Sequence, residues 1–234
     1  MITIITALQG CATSGGSKRK AADYHAQLGI GYLQRNRLKL AKQYLDKALK
    51  ANRNSPTVQH YYALLQDRLG NKELAARYFA RAVKKDAKNP ELLNNYGSFL
   101  CKHGAVNRAE AAFLRATADP LYDTPEFAFA NAGICLKKRG KIQKASSYLR
   151  KALSLKPNFS SALFHMADLS YRQNENAKAQ AYLYRYNERA PATPETLMLC
   201  YRISTALNET VSAQQCSSRL LANFPNSKEA SELN

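Results

Sequence analysis

Apolar residues along this chain recur at spacings of three and four positions, in short segments that are separated by breaks. Leu64, Leu65 and Leu69 follow this spacing before one break. Leu74 and Tyr78 follow it after that break. Because an α-helix brings residues three and four positions apart onto one face, each segment predicts an amphipathic helix. The sequence has no segment of alternating apolar and polar residues, so the pattern predicts an all-α chain.

The breaks contain residues that end helices. Within each pair of segments, the break holds an asparagine or a glycine, which tolerates the left-handed backbone conformation at a helix C-terminus. These residues are Asn36, Gly70, Asn71, Gly104, Gly140, Asn174 and Asn208. Between the pairs, prolines stop one helix and often begin the next. The prolines are Pro56, Pro90, Pro157, Pro191, Pro194 and Pro225.

The paired segments form one pattern that occurs six times, with steps of 34, 34, 36, 34 and 34 residues. At one equivalent position stand Gly29, Ala63, Gly97, Gly133, Ala167 and Tyr201. A period of 34 residues with small residues at fixed offsets resembles the tetratricopeptide repeat, a helix-turn-helix unit. The resemblance implies an all-α, right-handed superhelix of six repeats, an α-α solenoid, over residues 21–234.

The 36-residue step lengthens the connection between the third and fourth repeats. The connection spans residues 119–125 and contains an Asp-Pro pair and a second proline. These turn signals predict an ordered corner, because short insertions in repeat proteins usually form loops on one face. A domain boundary at this point is the alternative.

Such a superhelix binds partners in an inner groove lined by the first helix of each repeat. The candidate groove residues stand at the fifth, ninth and twelfth positions of the first three repeats: Ala26, Ile30, Leu33, His60, Leu64, Asp67, Asn94 and Ser98. The first three are apolar, although a terminal repeat usually has a polar outer face. We expect them to form an exposed apolar strip for an amphipathic segment or hydrophobic tail. Packing of these side chains against an additional N-terminal turn is the alternative.

The N-terminus carries a separate signal. Residues 1–11 are an apolar run that ends in Leu-Gln-Gly-Cys, which resembles the bacterial lipobox. The resemblance implies a signal segment whose removal leaves Cys11 acylated with diacylglycerol; the segment is too short to span a bilayer. Residues 12–20 are polar and rich in small residues, and predict a flexible tether. Ala12, in place of an aspartate, implies sorting to the outer membrane.

Only ten residues precede Cys11, and none of them is basic. The positively charged start of a signal peptide is therefore missing, which leaves open whether translation begins upstream of Met1. The alternative is a chance match at the start of a cytosolic solenoid.

The middle of the chain has a more specific resemblance, to one family of repeat proteins. The third repeat contains NNYGSFLC, which ends at Cys101, and the fourth contains NAGIC, which ends at Cys135. Together with the longer connection between them, these segments resemble the PilF/PilW family of type IV pilus biogenesis lipoproteins. The resemblance extends from the lipobox through all six repeats. It implies a lipid-anchored outer-membrane pilotin, facing the periplasm, that binds the secretin subunit and promotes its localisation and multimerisation, or that stabilises pili.

Four cysteines remain besides Cys11. Cys101 and Cys135 stand on the first helices of adjacent repeats, where helix axes lie about 8–10 Å apart, so an oxidising compartment allows a disulfide. Two small buried side chains are the alternative. Cys200 and Cys216 stand on the two helices of the sixth repeat, and the sequence leaves open whether they pair.

Composition excludes several other functions. The four histidines lie in four different repeats, and the sequence has no nucleophile elbow, phosphate loop or metal-ligand spacing, so we expect no enzyme, metal, cofactor or small-molecule substrate. The net charge of +18 allows acidic proteins, anionic lipid or nucleic acid as partners. Export makes nucleic acid a poor partner, and solvated outer faces explain most of the charge. A generic TPR adaptor without a pilus role is the competing function.

Overall fold

The structure is a computed structural model that describes residues 14–233 of the 234-residue chain. This part of the chain contains thirteen α-helices and no strand, which confirms the all-α prediction. The helices are α1 (Ser14–Gln34), α2 (Leu38–Ala51), α3 (Pro56–Arg68), α4 (Lys72–Lys85), α5 (Pro90–Lys102), α6 (Val106–Ala116), α7 (Pro125–Lys137), α8 (Ile142–Leu155), α9 (Ser160–Arg172), α10 (Asn176–Asn187), α11 (Pro194–Ala206), α12 (Thr210–Asn223) and α13 (Lys228–Ser231). The first twelve form the six predicted helix-turn-helix repeats, and α13 follows the last one.

The turn inside each repeat has the predicted left-handed residue. Its φ is positive at Asn36, Gly70, Gly104, Gly140, Asn174 and Asn208. This conformation ends the first helix of each repeat and lets the second helix turn back along it. Ser55 and Thr193 act as N-caps at proline-initiated helices, where their side chains accept hydrogen bonds from the backbone NH groups of Val58 and Thr196.

The chain divides into two compact units, and the boundary falls inside α5. Unit 1 ends at Tyr96 and unit 2 begins at Gly97. The connection over residues 119–125 lies inside unit 2 and is an ordered turn. There, the backbone NH of Leu121 donates to the Asp119 side chain at 2.9 Å, and that of Tyr122 donates to the Asp119 carbonyl at 3.2 Å.

The prediction of a flexible tether is wrong for residues 14–20, because α1 begins at Ser14. The later part of α1 is held by buried Ala22, Ala26 and Leu33. Once a helix exists, each further residue adds a hydrogen bond without a new nucleation cost, and lysine and arginine are good helix formers. The helix therefore continues through the exposed residues 16–20.

The proposed acylation site, Cys11, lies outside the described residues. Between residues 14 and 233, none of the helices combines the length and the apolar character that crossing a membrane requires.

In the first, third and fourth repeats, the two helices approach closely at a glycine of the first helix. A Cβ atom built on Gly29 would lie 2.5 Å from Leu45 Cγ, and one on Gly97 would lie 2.7 Å from Phe113 Cε1. A Cβ on Gly133 would lie 2.7 Å from Leu149 Cγ and 3.0 Å from the backbone oxygen of Ala145. Because these partners are buried and the interior is close-packed, the space for a methyl group is absent.

In unit 2, two disulfides join helices. Cys101 of α5 is bonded to Cys135 of α7, with the Cα atoms 5.8 Å apart. Cys200 of α11 is bonded to Cys216 of α12, with the Cα atoms 6.0 Å apart. The first links two repeats, and the second closes the sixth repeat on itself.

We expect Gly133→Ala to lower the free energy of unfolding by about 1–3 kcal/mol, because the methyl group meets the backbone of α8. Gly31→Ala is the matched control: it lies in α1 with no atom within 4 Å of its added Cβ. It should raise stability by about 0.5–1 kcal/mol through helix propensity. Urea unfolding of both variants tests the pair, and equal effects would contradict the close-approach explanation.

We expect the free energy of unfolding of the double variant Cys101→Ser/Cys135→Ser to be about 4 kcal/mol lower than that of the oxidised parent. The disulfide closes a loop of 34 residues and so restricts the unfolded chain. Urea unfolding with and without reductant measures the loss, and reduction should lower the midpoint of the parent more than that of the variant. Peptide mass mapping that finds both thiols free in exported protein would refute the bridge.

Candidate protein-binding site

In unit 1, the exposed face of α1 carries one half-buried apolar residue among polar ones. Ile30 stands at helical spacing from Asp23, Gln27 and Gln34, all of which are exposed. In the next repeat, Leu64 of α3 occupies the equivalent position and is also half-buried. Ile30 and Leu64 rest against the core of unit 1 while part of each side chain stays accessible.

The expected exposed strip of Ala26, Ile30 and Leu33 is wrong at two of its three positions. Ala26 is 0% exposed and Leu33 is 5% exposed, and both belong to the core shared by α1, α2 and α3. The fifth and twelfth positions of α1 turn toward the neighbouring helices, whereas the ninth position turns toward the open side.

Two further predicted groove residues are buried. His60 is 3% exposed and Asn94 is 9% exposed. Burial lowers the pKa of His60 to about 4, so its ring is neutral at neutral pH. His60 Nε2 lies 3.1 Å from the side-chain amide nitrogen of Asn95, which donates to the neutral ring. His60 therefore has a structural role in unit 1, and Asp67 is half-buried at the end of α3.

Ile30 and Leu64 are thus the accessible apolar members of the predicted set in unit 1. We call them the apolar pair. They stand on successive first helices, and α1 packs against α3. An apolar pair with polar neighbours suits the apolar stripe of a partner helix or an extended apolar segment.

In unit 2, a cavity of about 350 Å³ lies over the first disulfide. It is lined by Ser98, Cys101, Lys102, Phe113, Asn131, Ile134, Cys135, Lys138 and Arg139. Helices α5, α6 and α7 supply its walls, and the disulfide ties α5 and α7 together beside it. Ser98, the one predicted groove residue that falls in unit 2, lines this cavity. We call it the disulfide pocket.

The disulfide pocket has three cationic side chains and no carboxylate in its lining. Lys138 and Arg139 are exposed at the end of α7, and neither forms an ion pair with another described residue. Ile134 and Phe113 add apolar surface. Apolar surface beside the exposed cations Lys138 and Arg139 suits a ligand segment that carries both an apolar side chain and a negative charge.

A second cavity in unit 2, of about 320 Å³, is lined by equal numbers of basic and acidic side chains. Beneath it, Lys137 Nζ lies 2.6 Å from Asp168 Oδ2 and 3.0 Å from His165 Nδ1. Arg172 Nε donates to both oxygens of Asp168 at 3.0 and 3.1 Å. The cations of this cavity are therefore paired with neighbouring carboxylates, in contrast to Lys138 and Arg139 of the disulfide pocket.

The pKa values of this network follow from burial and charge. Burial alone would raise the pKa of Asp168, but the hydrogen bonds and charges of Lys137 and Arg172 hold it below its ordinary value. Burial, with the Lys137 charge, lowers the pKa of His165 to about 4, so Nδ1 accepts a hydrogen bond from Lys137. The network stays charged and paired at neutral pH, which gives it a structural role.

Of the residues that line the disulfide pocket, the sequence predicts only Ser98 as a groove residue. The sequence pattern assigns most of the charge to solvated outer faces, whereas in the basic run at residues 137–139 the side chains of Lys138 and Arg139 stand at the pocket and Lys137 is largely buried. The available signal was the position of this run directly after Cys135 on the same helix. Among residues 14–233 there is no group of histidine, cysteine or acidic side chains that could hold a metal ion.

Comparison with known proteins places this arrangement in a family. Sequence models of the tetratricopeptide repeat match residues 26–90, 63–123 and 136–203. The chain is 30% identical over 233 residues to the type IV pilus assembly protein PilF of Pseudomonas aeruginosa, a match that covers 96% of this chain and 92% of that protein.

Two solved structures agree with this match. A structure of Pseudomonas aeruginosa PilF superimposes with a TM-score of 0.82 at 29% identity, over 93% of this chain and 98% of that one. PilW, described as a widely conserved type IV pilus biogenesis factor, superimposes with a TM-score of 0.81 at 30% identity, over 91% of this chain and 97% of that one. These relatives are assembly factors rather than enzymes, and this chain belongs to the PilF/PilW family of tetratricopeptide-repeat proteins of type IV pilus biogenesis.

Proposed function

We propose that this protein is an outer-membrane lipoprotein that binds a secretin subunit and promotes its localisation and multimerisation during pilus assembly. The observation that carries the proposal is the match to PilF over nearly the whole length of both chains. The Leu-Gln-Gly-Cys motif ending at Cys11 supports a lipid anchor facing the periplasm. Family membership favours an envelope location and this pilus role over a generic adaptor.

The apolar pair in unit 1 is the proposed contact for the secretin. A TPR scaffold presents its first helices to a partner segment, and half-buried apolar residues provide binding energy without a large exposed patch on the free protein. Ile30 and Leu64 meet this description, because each is anchored in the core and open on one side.

The disulfide pocket is a second contact that the structure favours for the same partner. Its exposed cations Lys138 and Arg139 would select an acidic position next to an apolar one in the bound segment. The disulfide between α5 and α7 would hold the pocket in shape, and preorganisation of this kind lowers the entropic cost of binding.

We expect Cys11→Ser to abolish incorporation of a radioactive fatty acid and to release the protein from the membrane fraction, because the thiol that accepts the lipid is lost. Ala12→Asp is the paired variant: it should keep the label and move the protein from the outer to the inner membrane. An unlabelled parent, or a Cys11→Ser protein that fractionates like the parent, would exclude the anchor.

We expect Ile30→Glu and Leu64→Glu each to weaken capture of the secretin from solubilised outer membranes by at least about tenfold, which corresponds to about 1.4 kcal/mol. Gln43→Glu on α2 adds the same charge on a different helix and should bind like the parent. Circular dichroism and thermal unfolding must show that all three variants are folded.

Leu33→Glu tests whether Leu33 is a core residue or a groove residue. Since Leu33 is buried, this variant should lose thermal stability rather than act as a folded binding mutant. Normal capture by folded Ile30→Glu and Leu64→Glu would overturn the apolar pair as the contact.

A further inference from the structure

We propose that the basic side of α2 and α4 in unit 1 is a docking surface for a membrane that contains anionic lipids. Its central residues are Lys47 and Lys50 of α2 and Arg81 and Lys84 of α4, which we call the basic array. Membrane docking is a function beyond secretin binding. The basic array lies on α2 and α4, whereas the proposed secretin contact in unit 1 lies on α1 and α3.

The repeat itself creates the array. Lys47 and Arg81 are 34 residues apart, as are Lys50 and Lys84, so they hold equivalent positions on successive second helices. All four side chains are exposed. The opposite side of each helix is buried: Ala41, Leu45 and Ala48 on α2, and Ala75, Phe79 and Ala82 on α4. The basic array is therefore the solvent-facing side of unit 1's second helices.

Charge in unit 1 is concentrated on these helices. Helices α2 and α4 together carry nine lysines and arginines and two acidic residues. In contrast, α3 carries one basic and one acidic residue, and α1 has no basic residue after Lys20. A surface with one dominant sign of charge produces a field that attracts the opposite charge.

The charges of the array are not neutralised within the described part of the chain. On α2 the one acidic residue, Asp46, pairs with Lys42 at 2.6 Å and not with Lys47 or Lys50. Lys47 and Arg81 instead lie over aromatic rings of their own helices, 5.3 Å from the Tyr44 ring centroid and 5.6 Å from that of Tyr78. A cation over a ring keeps its full charge, so the array stays available to phosphate groups.

The layout of the array suits a lipid surface better than a single anionic ligand. Its cations are spread along two helices: Lys50 borders a cavity with Asp46, Leu49 and Arg53, and the other three cations do not line it. Leu40, which is 37% exposed, and half-buried Tyr44 add apolar and aromatic surface on α2. Basic residues with aromatic neighbours are typical of helices that lie at a headgroup region.

The complete set of four cations is a property of unit 1, although the positions equivalent to Lys47 and Arg81 are also basic in the later repeats, at Arg115, Lys151, Arg185 and Arg219. The positions equivalent to Lys50 and Lys84 in the four later repeats are Ala118, Ser154, Glu188 and Ala222. Unit 1 is also the unit that contains Cys11, and α1 begins three residues after this cysteine. If the proposed acylation occurs, the start of α1 would lie within about 11 Å of the acylated residue, because three residues span at most about 3.6 Å each. The four exposed cations are present with or without that acylation.

The test uses the full chain carrying Cys11→Ser, so that no acyl group contributes to binding. Sedimentation with phosphatidylcholine vesicles that contain about one third phosphatidylglycerol should show binding, and vesicles of phosphatidylcholine alone should show none. Raising the salt from about 50 mM to about 200 mM should reduce the affinity at least about tenfold, because the contact is electrostatic.

Two quadruple variants of this chain distinguish the effect of the array on vesicle binding from the effect of net charge. Lys47→Gln/Lys50→Gln/Arg81→Gln/Lys84→Gln removes the array, and Lys151→Gln/Arg185→Gln/Arg189→Gln/Arg219→Gln removes the same charge from unit 2. We expect the first to lose at least about tenfold in vesicle affinity and the second to lose less than about threefold. Circular dichroism confirms folding; if the first variant is unfolded, Lys50→Gln/Lys84→Gln replaces it with the same expected direction.

Equal losses in the two quadruple variants, or unchanged binding by the array variant, would overturn the proposal. Binding to polyglutamate or to a DNA duplex without binding to the anionic vesicles would also overturn it, and would assign the array to an acidic protein or nucleic acid. Secretin capture by the array variant should stay like the parent, so failure here is separable from failure of the proposed secretin contact.

Discussion

The structure depends on the close approach of the two helices within each repeat. At Gly29, Gly97 and Gly133, the first helix offers only a backbone surface to a large side chain of the second helix. Burial of that side chain stabilises the repeat, and it is possible only because no Cβ stands in the way. Each approach also fixes the rotation of the first helix, and therefore decides which of its side chains turn inward.

That rotation separates two kinds of surface in unit 1. The first helices are nearly uncharged after Lys20 and carry the apolar pair, whereas the second helices carry the basic array. Protein recognition and attraction to an anionic surface would thus use different sides of the same repeats. Because the two surfaces share no residue, a change in one leaves the other chemically intact.

Unit 2 has charged side chains of two kinds, paired and exposed. Lys137, Asp168 and Arg172 form a paired network in which each charge has a partner, and His165 stays neutral beside it. Nearby, the disulfide pocket exposes cations without carboxylates. A partly buried charge must be paired to be tolerated, while an exposed one can remain open for a ligand. Burial therefore distinguishes the structural lysine from the available one, although Lys137 and Lys138 are neighbours in sequence.

The sequence by itself determined the helices, their left-handed turns, the six repeats and the family, because these depend on local spacing and on residues such as Asn36 and Gly70 that act within one turn. It did not determine which positions of a helix face solvent. Ala26 and Leu33 are buried while Ile30 is partly open, and residues 14–20 are helical where polar composition suggested a tether. Successive residues of a helix point about 100° apart, and the neighbouring helices decide which directions are covered. Exposure, pocket and charge pairing are therefore set by tertiary packing and cannot be obtained from local pattern alone.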